Sequence, residues 1–246
     1  MKRMCLAILV LIFSALACVT APETPGVVTV APQGFPTETP VAQAAPGEPI
    51  PLQVGYGYRG SFYEVYFSDP FNPASKRQEG GIDIPLARAI DNAKISIDLA
   101  VYSMSLNSIR DALLAAHRRG VEVRIVMESD NLERDVPRRL AEKGIPIIGD
   151  RREGLMHNKF VIIDRSEVWI GSMNFTTSGA YDDNNNLVRI RSTKMAENYL
   201  AEFNEMFEDD FFGPDTLSNT PYPQLTIDGV PLEVYFSPDD GVAARL

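Results

Sequence analysis

The sequence predicts an α/β domain: a layered fold with a mostly parallel mixed sheet flanked by helices. Three observations carry that expectation. Over residues 61–212, β-rich runs alternate with amphipathic runs of helical period, the pattern of a sheet covered by helices. Hydrophobic residues make up 45% and charged residues 23% of 246 positions, enough apolar material for a sizeable core and too little bias for a disordered or collagen-like chain. Glycines follow helical runs at Gly120 and Gly144, where a helix needs a stop.

Taken in order, Tyr63 to Phe67 (YEVYF) alternates like a strand, and Asp83 to Asn92 places Leu86, Ala89 and Ile90 on one helical face, with Pro85 suited to a first turn. Lys94 to Tyr102 (KISIDLAVY) is a strand run, and Leu106 to Arg119 a helix that ends at Gly120. Glu122 to Met127 is a strand, Leu132 to Lys143 a helix, and Ile145 to Ile148 a short strand. Lys159 to Ile163 (KFVII) and Glu167 to Ile170 (EVWI), separated by Asp164-Arg165-Ser166, read as a hairpin. Leu187 to Arg191 is a further strand. The helix from Lys194 to Glu208 carries Met195, Tyr199, Phe203, Met206 and Phe207 at core spacing.

Ahead of this body, residues 1–17 have a basic start and thirteen apolar or small residues from Cys5 to Ala17, a secretory signal too short to span a bilayer. The run Ser14-Ala15-Leu16-Ala17-Cys18 resembles a bacterial lipoprotein cleavage box, so lipidation of Cys18 and an extracytoplasmic, membrane-anchored location are expected, with plain secretion as the alternative. Residues 18–52 hold eight prolines between Pro22 and Pro51 and read as an extended linker. The formal charge of −10 disfavours binding nucleic acid through a broad basic face. Cys5 and Cys18 are the only cysteines, leaving the body without thiol chemistry, and histidine occurs only at His117 and His157.

The segment richest in chemistry runs Met156-His157-Asn158-Lys159-Phe160-Val161-Ile162-Ile163-Asp164, then Gly171-Ser172-Met173-Asn174. On a strand, residues 157 and 159 leave the same face, so an imidazole and an ammonium can converge on one phosphate. Lys159 and Asn174 offer donors for the charge that develops in a phosphoryl transition state, and a neutral His157 can attack phosphorus. His117, near the end of an amphipathic helix, reads as structural. Asp182 to Asn186 (DDNNN) lacks the spaced ligands of a calcium loop, and no metal site is expected.

This His-x-Lys-x4-Asp element followed by Gly-Ser-x-Asn resembles the signature of the phospholipase D superfamily, and the order of strands and helices over residues 61–212 fits as well. The resemblance implies a phospholipase D-like domain over residues 53–213 that hydrolyses or transfers a phosphodiester through phosphohistidine, with His157, Lys159 and Asp164 as the catalytic motif and no metal or other cofactor. Asp164 would hold geometry rather than touch substrate, with Asn174, Ser172 and Gly171 as phosphate-binding and supporting residues. An acidic residue would be expected where Asn185 stands.

Only one such motif is present, although the resembled mechanism draws a second histidine, as general acid, from a second motif. A homodimer or a second in-chain repeat would supply it. Glu64-Val65-Tyr66-Phe67-Ser68 recurs as Glu233-Val234-Tyr235-Phe236-Ser237, so residues 214–246 read as a linker and the start of a second repeat. Phospholipid is the expected substrate. A secreted nuclease is the alternative, with Arg118, Arg119, Arg138, Arg139, Arg151 and Arg152 as its phosphate track; a non-catalytic surface binding protein or inactive half-site is the reading from outside enzymology.

Overall fold

The structure is a computed structural model and describes residues 47–244. The signal segment, Cys18 and the linker up to residue 46 lie outside the described residues. In chain order the elements are β1 (Glu48–Pro51), β2 (Tyr56–Arg59), β3 (Tyr63–Phe67), α1 (Asp83–Asn92), β4 (Ser96–Val101), α2 (Asn107–Arg118), β5 (Glu122–Met127), α3 (Asp135–Glu142) and β6 (Ile147–Gly149). There follow β7 (Lys159–Ile163), β8 (Glu167–Gly171), α4 (Thr177–Tyr181), β9 (Asn186–Arg191), α5 (Thr193–Phe207), β10 (Gln224–Ile227) and β11 (Val230–Glu233).

Nine strands form one sheet in the order β1-β2-β3-β9-β8-β7-β4-β5-β6, and β10 and β11 form a separate hairpin. The α/β class, the mixed sheet and the flanking helices are as expected, but the balance of directions is not. Six of the eight pairings in the large sheet are antiparallel; only β4 with β5 and β5 with β6 run parallel. The two parallel pairings follow from the connections: α2 carries the chain from β4 to β5 and α3 from β5 to β6, the crossovers that parallel neighbours require. Asp164 and Arg165, at φ 52° and 53°, are the central residues of the turn in the three-residue loop between β7 and β8, and the Ser166 N–H closes it on the Ile163 carbonyl at 3.1 Å.

The pleat sorts each central strand between two cores. Ile97, Leu99, Val101, Val123, Ile125, Val161 and Ile163 join α1, α2 and α3 on one face. Ala100, Val126, Phe160, Ile162 and Val168 face Phe203 and Met206 of α5 on the other. At its margins the chain departs from the expected boundaries. Residues 48–51, assigned by composition to the linker, pair with β2. The echoed segment also differs from its first copy: Glu64 to Phe67 lies within β3, whereas only Glu233 belongs to a strand and Val234 and Phe236 pack into the α5 core. Among the described residues no helix is long and apolar enough to cross a membrane.

Candidate active site

The carboxyl ends of β4 and β5, the start of β7 and the end of β8 meet at one end of the sheet, the usual place for a ligand in such folds. Lys159 pairs with Val101 across β7 and β4, and the Tyr102 N–H donates to the Asn158 carbonyl at 3.0 Å. Tyr102 thus stands beside both candidate groups. Its ring meets the His157 imidazole edge-on, centroids 4.9 Å apart at 71°, and carries the Lys159 Nζ 5.5 Å from its centre. Lys159 Nζ also donates to the His157 carbonyl at 2.9 Å.

Burial lowers the His157 pKa and the Lys159 charge lowers it further; burial also lowers that of Lys159. At neutral pH the imidazole is therefore mostly uncharged, the form a nucleophile requires. The approach to His157 is fixed from behind. Glu128, at the end of β5 and 3% exposed, accepts the Met156 N–H at 2.8 Å, and Asn131 donates to the Tyr102 carbonyl at 2.7 Å. A cavity of about 600 Å³ opens over His157, Lys159 and Ser172, with Tyr199, Phe236 and Ser237 among its walls.

The Gly-Ser-x-Asn element follows from strand register. Phe160 pairs with Ile170, so Gly171 stands opposite Lys159. A Cβ on Gly171 would lie 2.3 Å from the Asn186 carbonyl oxygen, which only glycine avoids. Ser172 Oγ donates to Asn185 Oδ1 at 2.9 Å and accepts the Asn186 N–H at 3.1 Å. Asn185 in turn donates from Nδ2 to Gly179 O and from its backbone to Ser68 Oγ. The Asn-rich stretch is therefore a latch on the motif, with a neutral amide where a carboxylate was expected. Asn174 has a buried side-chain oxygen without a hydrogen-bond partner among the described residues.

Asp164, grouped with His157 and Lys159 by the motif, is not brought to them. It sits at the opposite end of β7, where its carboxylate accepts the N–H groups of Lys94, Ile95 and Ser96 as the chain enters β4. His117 lies on α2, away from this cavity. The arginines expected to form a phosphate track are mostly occupied. Arg138 and Arg139 pair with Asp135, Arg151 and Arg152 with Asp210, and Arg119 donates to the Ile90 and Ala93 carbonyls. Among the described residues no three His, Cys, Asp or Glu side chains are grouped to hold a metal ion. Sequence reasoning passed over Tyr102 and Glu128, although each closes a strand that it had recognised.

Comparison with known proteins identifies the family. Residues 86–207 match the family described as cardiolipin synthase, PLD-like domain. A phospholipase D of Rickettsia felis is 38% identical over 120 residues, covering 48% of this chain and 60% of that protein. The mitochondrial cardiolipin hydrolase of Mus musculus is 30% identical over 138 residues, covering 55% and 62%. The crystal structure of Nuc from Salmonella typhimurium, a phospholipase D family member, superposes with a TM-score of 0.52 at 31% identity, covering 59% of this chain and 93% of Nuc. The chain belongs to the phospholipase D superfamily, a family of phosphodiesterases. Its match spans about 60% of the length of those curated relatives.

Proposed function

We propose that this protein is a phospholipase D-like hydrolase that cleaves or transfers a phosphodiester, most readily that of a phospholipid, through a phosphohistidine at His157. The observation that carries this reading is the pairing of a neutral, cavity-facing imidazole with the Lys159 ammonium around the Tyr102 ring. In the cycle an imidazole nitrogen of His157 attacks phosphorus, the bond to the leaving alcohol oxygen breaks, and a general acid protonates that oxygen. Water or a second alcohol then attacks phosphorus, and the phosphorus–nitrogen bond breaks. Lys159 holds the phosphoryl oxygens, Asn174 adds an amide donor, and Ser172 and Gly171 shape the turn that presents it.

The general acid is the histidine of a second copy of this motif, brought by a homodimer or by a second repeat in a longer chain. A lipid on Cys18, with residues 19–46 as spacer, would hold the domain on the outer side of a membrane beside its substrate. The names of the rickettsial and mouse relatives support a lipid phosphodiester. The nucleic-acid reading has less support, since the net charge is −10 and five of its six arginines are tied to protein acceptors. The test is hydrolysis of bis(p-nitrophenyl) phosphate by the full chain in the presence of a chelator, beside His157→Ala. Release of nitrophenol that His157→Ala abolishes supports the reading; equal rates for the two proteins overturn it.

A further inference from the structure

His157 borders a second cavity, of about 220 Å³, whose walls come from Leu155 and Met156, from Met206 of α5, and from Phe212 and Pro238 of the C-terminal segment. The last two walls lie beyond the residues that match the family. Asp150, Arg152, Asn158, Thr216 and Ser237 also line it, and among its polar groups is a buried carboxyl that has nothing to bind. Glu202 of α5 is 6% exposed, lines the cavity, and has no hydrogen bond or ion pair among the described residues. Its acidic neighbours are all engaged. Glu205 accepts the Leu217 N–H, Asp239 the Thr216 hydroxyl, and Asp240 the Ser218 and Thr220 hydroxyls and the Phe236 N–H.

A buried carboxyl without a partner is costly, and three carboxylates nearby repel its ionised form. Burial first, then Asp239, Glu205 and Asp240, push the Glu202 pKa up to about 8. The cationic side chain at the wall, Arg152, is committed elsewhere: it donates to the Asp150 carbonyl, pairs with Asp210 and lies 4.8 Å over the Phe212 ring. The cavity therefore combines the negative potential of the nearby carboxylates, an acid without a counter-ion and apolar, sulfur-bearing walls. An anion is repelled there, whereas an alkylammonium group supplies the missing counter-ion and rests its carbons on Met156, Met206 and Phe212.

We propose that this cavity is the subsite for an ammonium group carried on one alcohol of the phosphodiester, with Glu202 as its counter-ion. The inference rests on the reading of His157 and Lys159 as the phosphate site, and it makes the substrate a zwitterionic diester in place of a polyanion. Glu202→Gln keeps the size and neutrality of the unligated side chain, so the fold is retained while the counter-ion is lost.

The full chain has two histidines, so the His157 imidazole resonance reports binding without any need for turnover. We would titrate it with glycerophosphoethanolamine and with glycerophosphoglycerol, which share a phosphodiester and differ in the charge on one alcohol. The ammonium diester should bind at least about tenfold more tightly, and Glu202→Gln should bring the two within about twofold of each other. The preference should widen as pH rises from 7 to 9 and Glu202 ionises; Glu205, Asp239, Asp240, Asp150, Arg152, Tyr199 and His157 are the other charged or titratable groups around it. Equal affinities in the wild type, or a preference that survives Glu202→Gln, overturn the subsite and leave the phosphate site standing. If neither diester moves His157, the phosphate site fails, and the subsite with it.

Discussion

Tyr102 touches both His157 and Lys159, so one ring sets the placement of the proposed nucleophile and the cation together. If the ring is what matters, Tyr102→Phe retains it and Tyr102→Leu does not. The leucine variant should lose about 10- to 100-fold in kcat with little change in KM, and the phenylalanine variant should recover most of that loss. The aromatic face also favours the ammonium over the amine, so the basic limb of the pH–rate profile should move to lower pH in Tyr102→Leu. A merely space-filling role would leave that limb in place. The spacing of His157 and Lys159 was legible in the sequence because a strand's period of two is rigid. The Tyr102 contact was not, since β4 and β7 become neighbours only through a sheet order that no local pattern encodes.

At the scale of elements, helix α1 and strands β5 and β7 stand at the boundaries that their periodicity predicts. Each has a clear apolar rhythm and a turn residue at its end. Strands β1 and β2 were missed for an equally physical reason: Glu48–Pro51 contains two prolines, which its edge position tolerates, and Tyr56–Arg59 a glycine, a poor strand former held between two partners. Asp164 shows what the motif cannot tell. It reads as one unit with His157 and Lys159, yet its carboxylate binds three consecutive backbone N–H groups at the far end of the sheet. Asp164→Ala should therefore lower unfolding free energy by about 2–3 kcal/mol. Activity per folded molecule should remain within about twofold, as denaturant titration beside kinetics would show. A hundredfold loss of kcat in a fully folded variant would return Asp164 to the chemistry.

For the molecule as a whole, ion pairs tie down both faces of the sheet, Arg124 with Asp98 and Glu208 on the α5 side. On the α1 side a charge network spans β2, β3, β8 and β9. Glu64 meets Arg59 at 3.0 Å, Arg191 at 3.1 Å and Arg189 at 3.3 Å, and Arg189 also grips Glu167. Burial opposes ionisation of Glu64, but the Tyr66 hydroxyl and these arginines outweigh it and hold its pKa at about 2, against 4.5 for an ordinary glutamate. A depressed pKa contributes stability above pH 4.5 that is lost as pH falls toward 2. The wild type should lose stability across that window in thermal melts, and Glu64→Gln, less stable at neutral pH, should show a flatter profile there.

The same chain carries one histidine at its candidate site and echoes its own β3 sequence near residue 233, and the proposed cycle needs a second imidazole to protonate the leaving oxygen. Its first half, attack by His157, is what the site geometry supports most strongly. Quenching the full chain in alkaline denaturant during turnover of bis(p-nitrophenyl) phosphate, which spares the acid-labile phosphorus–nitrogen bond, followed by peptide mass spectrometry, examines that step directly. A nitrophenylphosphoryl group on His157, absent from His157→Ala, is the expected result. Steady turnover with the adduct on another residue, or with His157→Ala as active as the wild type, would contradict it.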